Sequence, residues 1–586
     1  MKSKWTLRTT RVNTKELSQK TGFSSVVTKI LVNRGINSPE AIKRFMYGDI
    51  KDLYDPFLMK DMDKGTEIIK NAIISNKKIV IYGDYDADGV TSTSILFKAL
   101  KRCGANVDYY IPDRQSEGYG MCSDRIMKLH EEGYDVILTC DNGISAIDEI
   151  KLAKSLGMTV IVTDHHELVF KEDDKGNEIF VMPEADAIIN TKRKDCTYPF
   201  KMLCGAGIAY KFAIALYSKF KIDISETYEF IELAGIGTIC DVVDLIDENR
   251  IIAKKSLEML TKTKNLGLRT LKKVIGIEGK AIKSYNVGFQ IGPCINATGR
   301  LETAALSVEL LLCNDEKKAY ELANTLFELN KKRQHLTNMN VEQVVENIEN
   351  SEMKNHKVIV VYKSDIHESI AGIVAGKIRE KFNVPCIILT DGKEMPKGSG
   401  RSIEKYNIFK ELVKCKELLE KFGGHPMAAG LSIKEENIDK LRYALNKNCK
   451  LSDDDIIPKI RIDEVLPLEN ISYKLINELE MLEPFGKGNP SPILANKNVI
   501  VDNASLIGKE KNVVRFKCRI PNTNRIIDAV CFNGKDKFEE IFGEAYTKEQ
   551  NNNNTTMLDI IFSPYINEYN GIKSIQLKVS DFRLSK

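Results

Sequence analysis

The chain has 586 residues, 43% hydrophobic and 29% charged, with a net charge of +4. That length holds three or four domains with real cores, and the composition is that of a soluble globular protein. The near balance of charge excludes a global basic field, so any nucleic-acid surface must be local. Thirteen cysteines without a CxxC pair indicate reduced thiols in a cytosolic protein and exclude a disulfide framework. The first residues lack the apolar core of a signal peptide. The most membrane-like stretch, 227–246, contains Glu229, Glu232, Asp241 and Asp244, which opposes a spanning helix.

In chain order, residues 1–70 are predicted to form a helical, charged leading segment. Strands and helices then alternate, with strands near 79–82, 107–111, 136–140, 159–163 and 187–190 and helices such as 92–102 and 146–156. That is a doubly wound α/β lobe with a parallel sheet. The polar stretch 168–186 is a loop or a hairpin insertion. Residues 203–275 are mostly helical, with Gly205, Gly207, Gly235 and Gly237 permitting close packing or turns. Asn314-Asp315 can cap a long charged helix reaching about 345, with Leu322, Leu326 and Leu329 at helical spacing. It either joins two lobes or packs within one. A second α/β lobe spans about 355–450, with strands near 358–362 and 386–390 and helices near 369–381 and 407–421. Beyond Pro484–Pro490, strands near 498–501, 513–519, 526–532, 557–562 and 574–579 suggest a small barrel or sandwich. The tract Asn551–Asn554 reads as a mobile loop.

Three clusters of metal-binding side chains each follow a β-branched run. They are Gly83-Asp84-Tyr85-Asp86-Ala87-Asp88-Gly89, Cys140-Asp141-Asn142-Gly143 and Asp164-His165-His166. Ligands of an open α/β sheet bind beyond the carboxyl ends of its strands, so the clusters should converge on one crevice. The first mimics a calcium loop, but Ile95 stands where that loop needs Glu. Helix capping explains one aspartate, not three, and close carboxylates repel unless a cation compensates them. Carboxylates with imidazole suit Mn²⁺ or Mg²⁺. Paired ions activate water and stabilise a leaving oxygen, which points to phosphoester hydrolysis. The ligands leave open whether the substrate is a nucleotide, pyrophosphate or polynucleotide.

Further motifs follow in order: Pro293-Cys294-Ile295-Asn296-Ala297-Thr298-Gly299-Arg300-Leu301, His367-Glu368-Ser369-Ile370-Ala371-Gly372, Gly398-Ser399-Gly400-Arg401-Ser402 and Gly423-Gly424-His425-Pro426. Together with the Asp-His-His cluster, they make the chain from about 50 onward resemble the RecJ family within the DHH phosphoesterase superfamily. The resemblance implies a multidomain α/β architecture. A DHH lobe (71–305) and a DHH-associated lobe (351–452) are joined by a long helix (306–350), with a C-terminal OB-fold (453–586) after the leading segment 1–70. It implies a 5′→3′ exonuclease on single-stranded DNA that releases mononucleotides in repair and recombination, with two Mn²⁺ or Mg²⁺ ions. A helicase and a single-strand-binding protein follow as partners from the resemblance alone. A chain enclosing its own cleft needs no second copy.

The family's metal ligands fall on Asp86, Asp88, Asp141, His165 and Asp241, with Asp84 in the same loop, and Asp141 is also counted as catalytic. His166 fits beside the scissile phosphate as donor or acid, or as an orienting partner. Arg114, Arg300, Ser399 and Arg401 fall on DNA-phosphate positions, where guanidinium forks match phosphate oxygens. Arg114 can instead pair with Asp113. Gly424 and His425 hold a phosphate, or belong to a glycine turn between helix and strand. Cys294, Ser369, Asp244 and Thr191 depart from the family pattern, and Cys294 removes a positive charge. The two lobes are expected to form a cleft that the β domain extends into a strand-selective channel. Lys509, Lys511, Arg515, Lys517 and Arg519, beside Phe516, form a DNA-binding strand face or an ordinary solvated one. The alternatives are a DHH hydrolase of short oligonucleotides or nucleotides, and a non-catalytic single-strand-binding scaffold.

Overall fold

The computed structural model describes residues 3–114, 116–118, 120–172, 178–508, 511–523, 525–543 and 555–585. Asn551–Asn554, Lys509 and residues 173–177 lie outside that set. The chain separates into two compact units, one holding Tyr54–Asp241 and Lys255–Pro458, the other Lys4–Leu53, Val242–Lys254 and Lys459–Lys586. Among the described residues no helix is long and apolar enough to cross a membrane.

The first unit opens with a parallel sheet of β1 (Lys78–Tyr82), β2 (Asn106–Tyr110), β3 (Val136–Cys140), β4 (Thr159–Thr163) and β5 (Ala187–Ile189). Their order is β2-β1-β3-β4-β5. Ile79 to Tyr82 and all of β3 are buried, as expected where helices cover both faces. The winding reverses between β1 and β3, and such a switch point is where α/β sheets bind ligands. The polar insertion is a hairpin, with Val169–Glu172 paired to Glu178–Val181.

Helix α1 (Ala87–Arg102) starts earlier than the pattern indicated, because Asp86 caps it. The Asp86 Oδ1 accepts from the Asp88 and Gly89 amides at 2.9 and 3.1 Å. Helices α2 (Gly205–Phe220) and α3 (Ile231–Cys240) pack on α1. Helix α4 (Gly292–Leu301) lies against the N-terminal half of α5 (Glu316–Glu349). The Asp315 carboxylate caps α5 by accepting from the Lys318 amide at 2.7 Å. Val344 and Ile348, near the far end of α5, enter the core of the second lobe. The long helix thus joins two lobes.

The second lobe has a mixed sheet of β6 (Ile359–Tyr362), β7 (Cys386–Thr390), β8 (Lys397–Arg401), β9 (Leu419–His425) and β10 (Ala428–Ile433), with α6 (Glu368–Phe382) packed on it. The helix expected over 407–421 is shorter, Ile408–Val413. From Leu419 the chain pairs with β10 instead. Leu419 and Phe422 pack on the lobe's core, and this burial overrides local helix propensity.

In the second unit, strands Leu494–Ile507, Val513–Arg519, Ile526–Cys531, Ile572–Leu584 and Thr556–Tyr569 pair in that order, and the last pairs back to the first. The ring closes, so the C-terminal domain is a barrel, not a sandwich. The leading segment is not purely helical. Lys4–Leu7 is a strand pairing in parallel with Lys459–Ile462, and Val27, Ile30, Leu31, Ile42 and Phe45 share the barrel's hydrophobic core. Arg250 is buried in this unit. Its guanidinium donates to the carbonyls of Phe45, Leu482, Met481 and Glu483 at 2.7 to 3.0 Å and lies 3.8 Å from the Phe45 ring centroid. Arg250→Met strands these carbonyls and is expected to cost about 3–5 kcal/mol, read as a lower thermal midpoint. An unchanged midpoint would contradict this role.

Candidate metal centre and phosphate cavity

Each expected cluster sits at a strand's carboxyl end. Asp84, Asp86 and Asp88 follow β1, Asp141 follows β3, and His165 and His166 follow β4. Asp141 has φ +61°, in the left-handed region that aspartate tolerates better than most side chains. The Asn142 amide nitrogen donates to the carbonyls of Tyr82 and Cys140 at 3.1 and 3.0 Å, tying β1 to β3. Asp241 ends α3.

The ligand-type atoms converge. Those of Asp84, Asp86 and Asp141 lie within 4.8 Å of one another, as do those of Asp88, His165 and Asp241, and of Asp141, His165 and His166. The His165 Nε2 is 3.0 Å from Asp141 Oδ1, 3.8 Å from Asp88 Oδ2 and 3.7 Å from Asp241 Oδ2. Although close, Nε2 and Asp141 Oδ1 lack hydrogen-bond geometry. Both, with Asp84 Oδ1, are buried without a hydrogen-bond partner among the described residues. Buried polar atoms are costly when unmatched, and a divalent cation satisfies oxygens and imidazole nitrogen together. The residues fit Mn²⁺ or Mg²⁺ on that ground.

Electrostatics agree. Burial, reinforced by neighbouring carboxylates, pushes Asp84 and Asp141 well above the usual carboxylate range, Asp88 to about 6 and Asp241 to about 7. Burial also lowers His165, keeping its imidazole neutral, the form that ligates. His166 differs. Burial opposes its charge, but its Nδ1 lies 2.7 Å from Asp164 Oδ1, and that contact raises it to about 9. Burial disfavours the Asp164 charge too, yet the His166 bond and charge hold it at about 2. Asp164 also accepts from the amides of His165 at 2.7 Å, His166 at 3.1 Å and Ile144 at 2.9 Å. It orients the histidines and is absent from the convergent groups.

Some supports have no local signature, whereas Gly205 and Gly237 are glycines expected to permit close packing or turns. Both oxygens of Asp88 accept from the first amides of α2, Gly205 at 2.7 Å and Ala206 at 2.8 Å, so a helix N-terminus steadies that charge. A Cβ at Gly205 would lie 2.6 Å from Asp141 Cβ, and one at Gly237 2.4 Å from Asp88 Oδ1. These glycines let α2 and α3 press onto the carboxylates. The Asn296 Oδ1 accepts from the Ala87 amide at 2.8 Å, fastening α4 to the aspartate loop. The small-residue pattern of α2 and α3 was the available signal for the glycines. Asn296 was visible only as part of its motif.

A cavity of about 770 Å³ gathers Arg114, Arg300, Ser399, Arg401 and Gly424 with Lys397 and Lys421. The carboxylate in its lining, Glu368, lies 2.9 Å from Lys397. Arg114 packs over the Tyr85 ring at 5.0 Å. Arg300 donates to the Ser369 carbonyl at 2.6 Å, and Arg401 to Ser399 Oγ at 3.0 Å. Burial, then Arg114 and Arg333, lower Arg300 to about 10. His425 is exposed and is not among the lining residues. Gly423, Gly424 and His425 end strand β9 of a hairpin and do not form a turn between helix and strand. The barrel strand supports the solvated-face reading. Arg515 pairs with Asp528 at 3.0 Å and Arg519 with Asp502, Lys511 precedes the strand, and Phe516 is buried against Phe538 and Phe582.

Family models match in register with these lobes: the DHH family N-terminal domain over 78–238, the DHHA1 domain over 355–451 and the RecJ OB domain over 462–581. The chain is 38% identical to the RecJ single-stranded-DNA-specific exonuclease of Bacillus subtilis, covering 100% of this chain and 71% of the relative. It is 31% identical to that of Haemophilus influenzae, covering 90% and 92%. The chain belongs to the RecJ family. A crystal structure of Thermus thermophilus RecJ in complex with Mn²⁺ superimposes with TM-score 0.81 at 25% identity, covering 100% of this chain and 80% of that one. A manganese-bound RecJ exonuclease structure matches with TM-score 0.57 at 31% identity, over 67% and 96%. The RecJ-type fold and the convergent carboxylates and imidazole make this chain a divalent-metal-dependent hydrolase.

The raised carboxylates give a signed expectation. The folded state holds more protons than the unfolded one, so the cluster's stability contribution is present near pH 4 and lost as pH rises through about 6–7. The metal-free thermal midpoint should fall over that window and recover with Mn²⁺. Asp141→Asn should raise the metal-free midpoint and blunt the Mn²⁺ response. A lower midpoint with an undiminished Mn²⁺ shift would contradict the cluster's role.

Proposed function

We propose that this chain is a single-strand-specific 5′→3′ DNA exonuclease that releases 5′-mononucleotides in DNA repair and recombination. Three orphaned ligand atoms at the sheet's switch point carry the reading, since they call for cations. The RecJ relatives and the arginine-lined cavity supply the substrate class. Asp84, Asp86 and Asp141 would hold one ion, and Asp88, His165 and Asp241 the other; Asp141 meets the second group through His165. When bound, such ions polarise phosphate oxygens and lower the pKa of a water.

The chain's own residues do the rest. Asp164 holds His166 at Nδ1 and keeps it protonated near neutral pH, so the imidazolium can donate a proton toward the departing oxygen. Arg114, Arg300, Ser399 and Arg401, with the Gly424 backbone, bind and orient phosphates of the strand. His425 contacts the strand from the hairpin rim. Function divides as 71–305 for the metal centre, 351–452 for strand binding, 306–350 as their connection and 453–586 as a nucleic-acid-binding barrel, behind the leading segment 1–70. The enzyme works in the cytoplasm as a monomer, with a helicase exposing ends and a single-strand-binding protein on the substrate.

The test is digestion of an oligonucleotide labelled at either end, single-stranded or annealed, with Mn²⁺, Mg²⁺ or chelator. Metal-dependent shortening of the single strand from its 5′ end, with mononucleotide release and a spared blunt duplex, is expected. Cleavage confined to very short oligomers would assign a small-substrate hydrolase. Binding without cleavage would assign a scaffold.

A further inference from the structure

The first unit holds another cavity, of about 990 Å³, which shares no lining residue with the arginine-lined one. Its walls come from the C-terminal half of α1, the start of α3 and the segments 259–269 and 311–316. Along α1 the rise from Asp88 to Phe97 is about 14 Å, so the cavity is also separate from the metal centre.

Phe97, Leu233, Met259 and Leu312 give the cavity an apolar surface. The Phe97 ring is held edge-on by Tyr109, with centroids 5.5 Å apart. Lys101 Nζ stands 5.4 Å from the centroid of the same ring, which sets positive charge beside the aromatic surface. The charged lining is unequal: Lys98, Lys101, Lys262, Lys264 and Arg269 stand against Glu229, Glu232 and Glu316. The three carboxylates are committed. Glu229 pairs with Lys98, and Glu316 reaches Arg269 at 3.9 Å. Glu232 accepts from Thr263 Oγ1 at 2.6 Å, and buried Lys272 offsets its charge. Lys101, Lys262 and Lys264 are exposed and form no ion pair among the described residues. Like charges gathered around one cavity repel, and an anion seated among them relieves the repulsion. The volume lies within the range of small-molecule sites. An occupant must therefore be small and must join an apolar body to clustered negative charge. A base has a flat face for the Phe97 ring, and a diphosphate supplies the charge.

We infer that this cavity is a second ligand site, which takes a nucleoside diphosphate with its base on the apolar surface and its phosphates on Lys101, Lys262 and Lys264. The site stands independently of the single-strand reading above, since it uses neither the metal ligands nor the strand-binding residues.

The experiment is calorimetric titration of ADP into the full chain at low salt, in chelator so that the metal centre takes no part. Saturable binding is expected. Lys262→Gln with Lys264→Gln removes two exposed side chains, keeps the fold and should weaken binding about tenfold or more. The matched pair Lys410→Gln with Lys416→Gln, exposed on the second lobe, should leave the affinity unchanged, as should Arg401→Met in the other cavity. Adenosine alone and pyrophosphate alone should each bind about tenfold or more weakly than ADP. Three results overturn the inference. They are no saturable binding, pyrophosphate binding as tightly as ADP, and a loss in either control variant equal to that in the Lys262 and Lys264 pair.

Discussion

Carboxylates crowded into a buried crevice repel one another, and the first unit is arranged around holding them there. Asp84, Asp88 and Asp141 are almost wholly buried, and Asp241 closes on the same point. The parallel sheet brings their loops together at its switch point, because β1 and β3 are neighbours in space although β2 lies between them in sequence. Two helix amides, two glycines and Asn296 fix the carboxylates in place without neutralising them. What remains unbalanced is negative charge with three orphaned ligand atoms, a preorganised demand for cations.

Charge of the opposite sign gathers next to it. Arg114 stacks on Tyr85 inside the aspartate loop, while Arg300 and Arg401 hold to a carbonyl and a hydroxyl. Among the described residues no ion pair joins the two sets, and the raised carboxylates regain full charge only with a cation beside them. Cations on the aspartates and phosphates on the arginines satisfy both sets at once, which is the electrostatic logic of a metal-dependent phosphodiesterase.

Much of this was legible in the sequence, and the reason is local. Buried parallel strands read as β-branched runs, and the residues just beyond them must face the crevice, so five strands and three ligand clusters stood out. Asp241 was different. At a helix end in an apolar stretch it has no local signature and was reached through the family motif. The shared core of the leading helices and the barrel links residues about 450 positions apart, as in Lys4 to Lys459, and no periodicity announces such a pairing. The helix expected over 407–421 stops at Val413, and from Leu419 antiparallel pairing with β10 outweighs propensity. The barrel's basic strand stayed open between a binding face and a solvated one because its alternation was visible, while the in-sheet partners Asp502 and Asp528 were not.

The most direct test is a Mn²⁺ titration followed by electron paramagnetic resonance, which counts ions and reports whether they share ligands. Two Mn²⁺ per chain with exchange-coupled spectra are expected, with loss of the coupling in Asp141→Asn. A single isolated ion, or two uncoupled ions indifferent to Asp141, would contradict a shared two-ion centre.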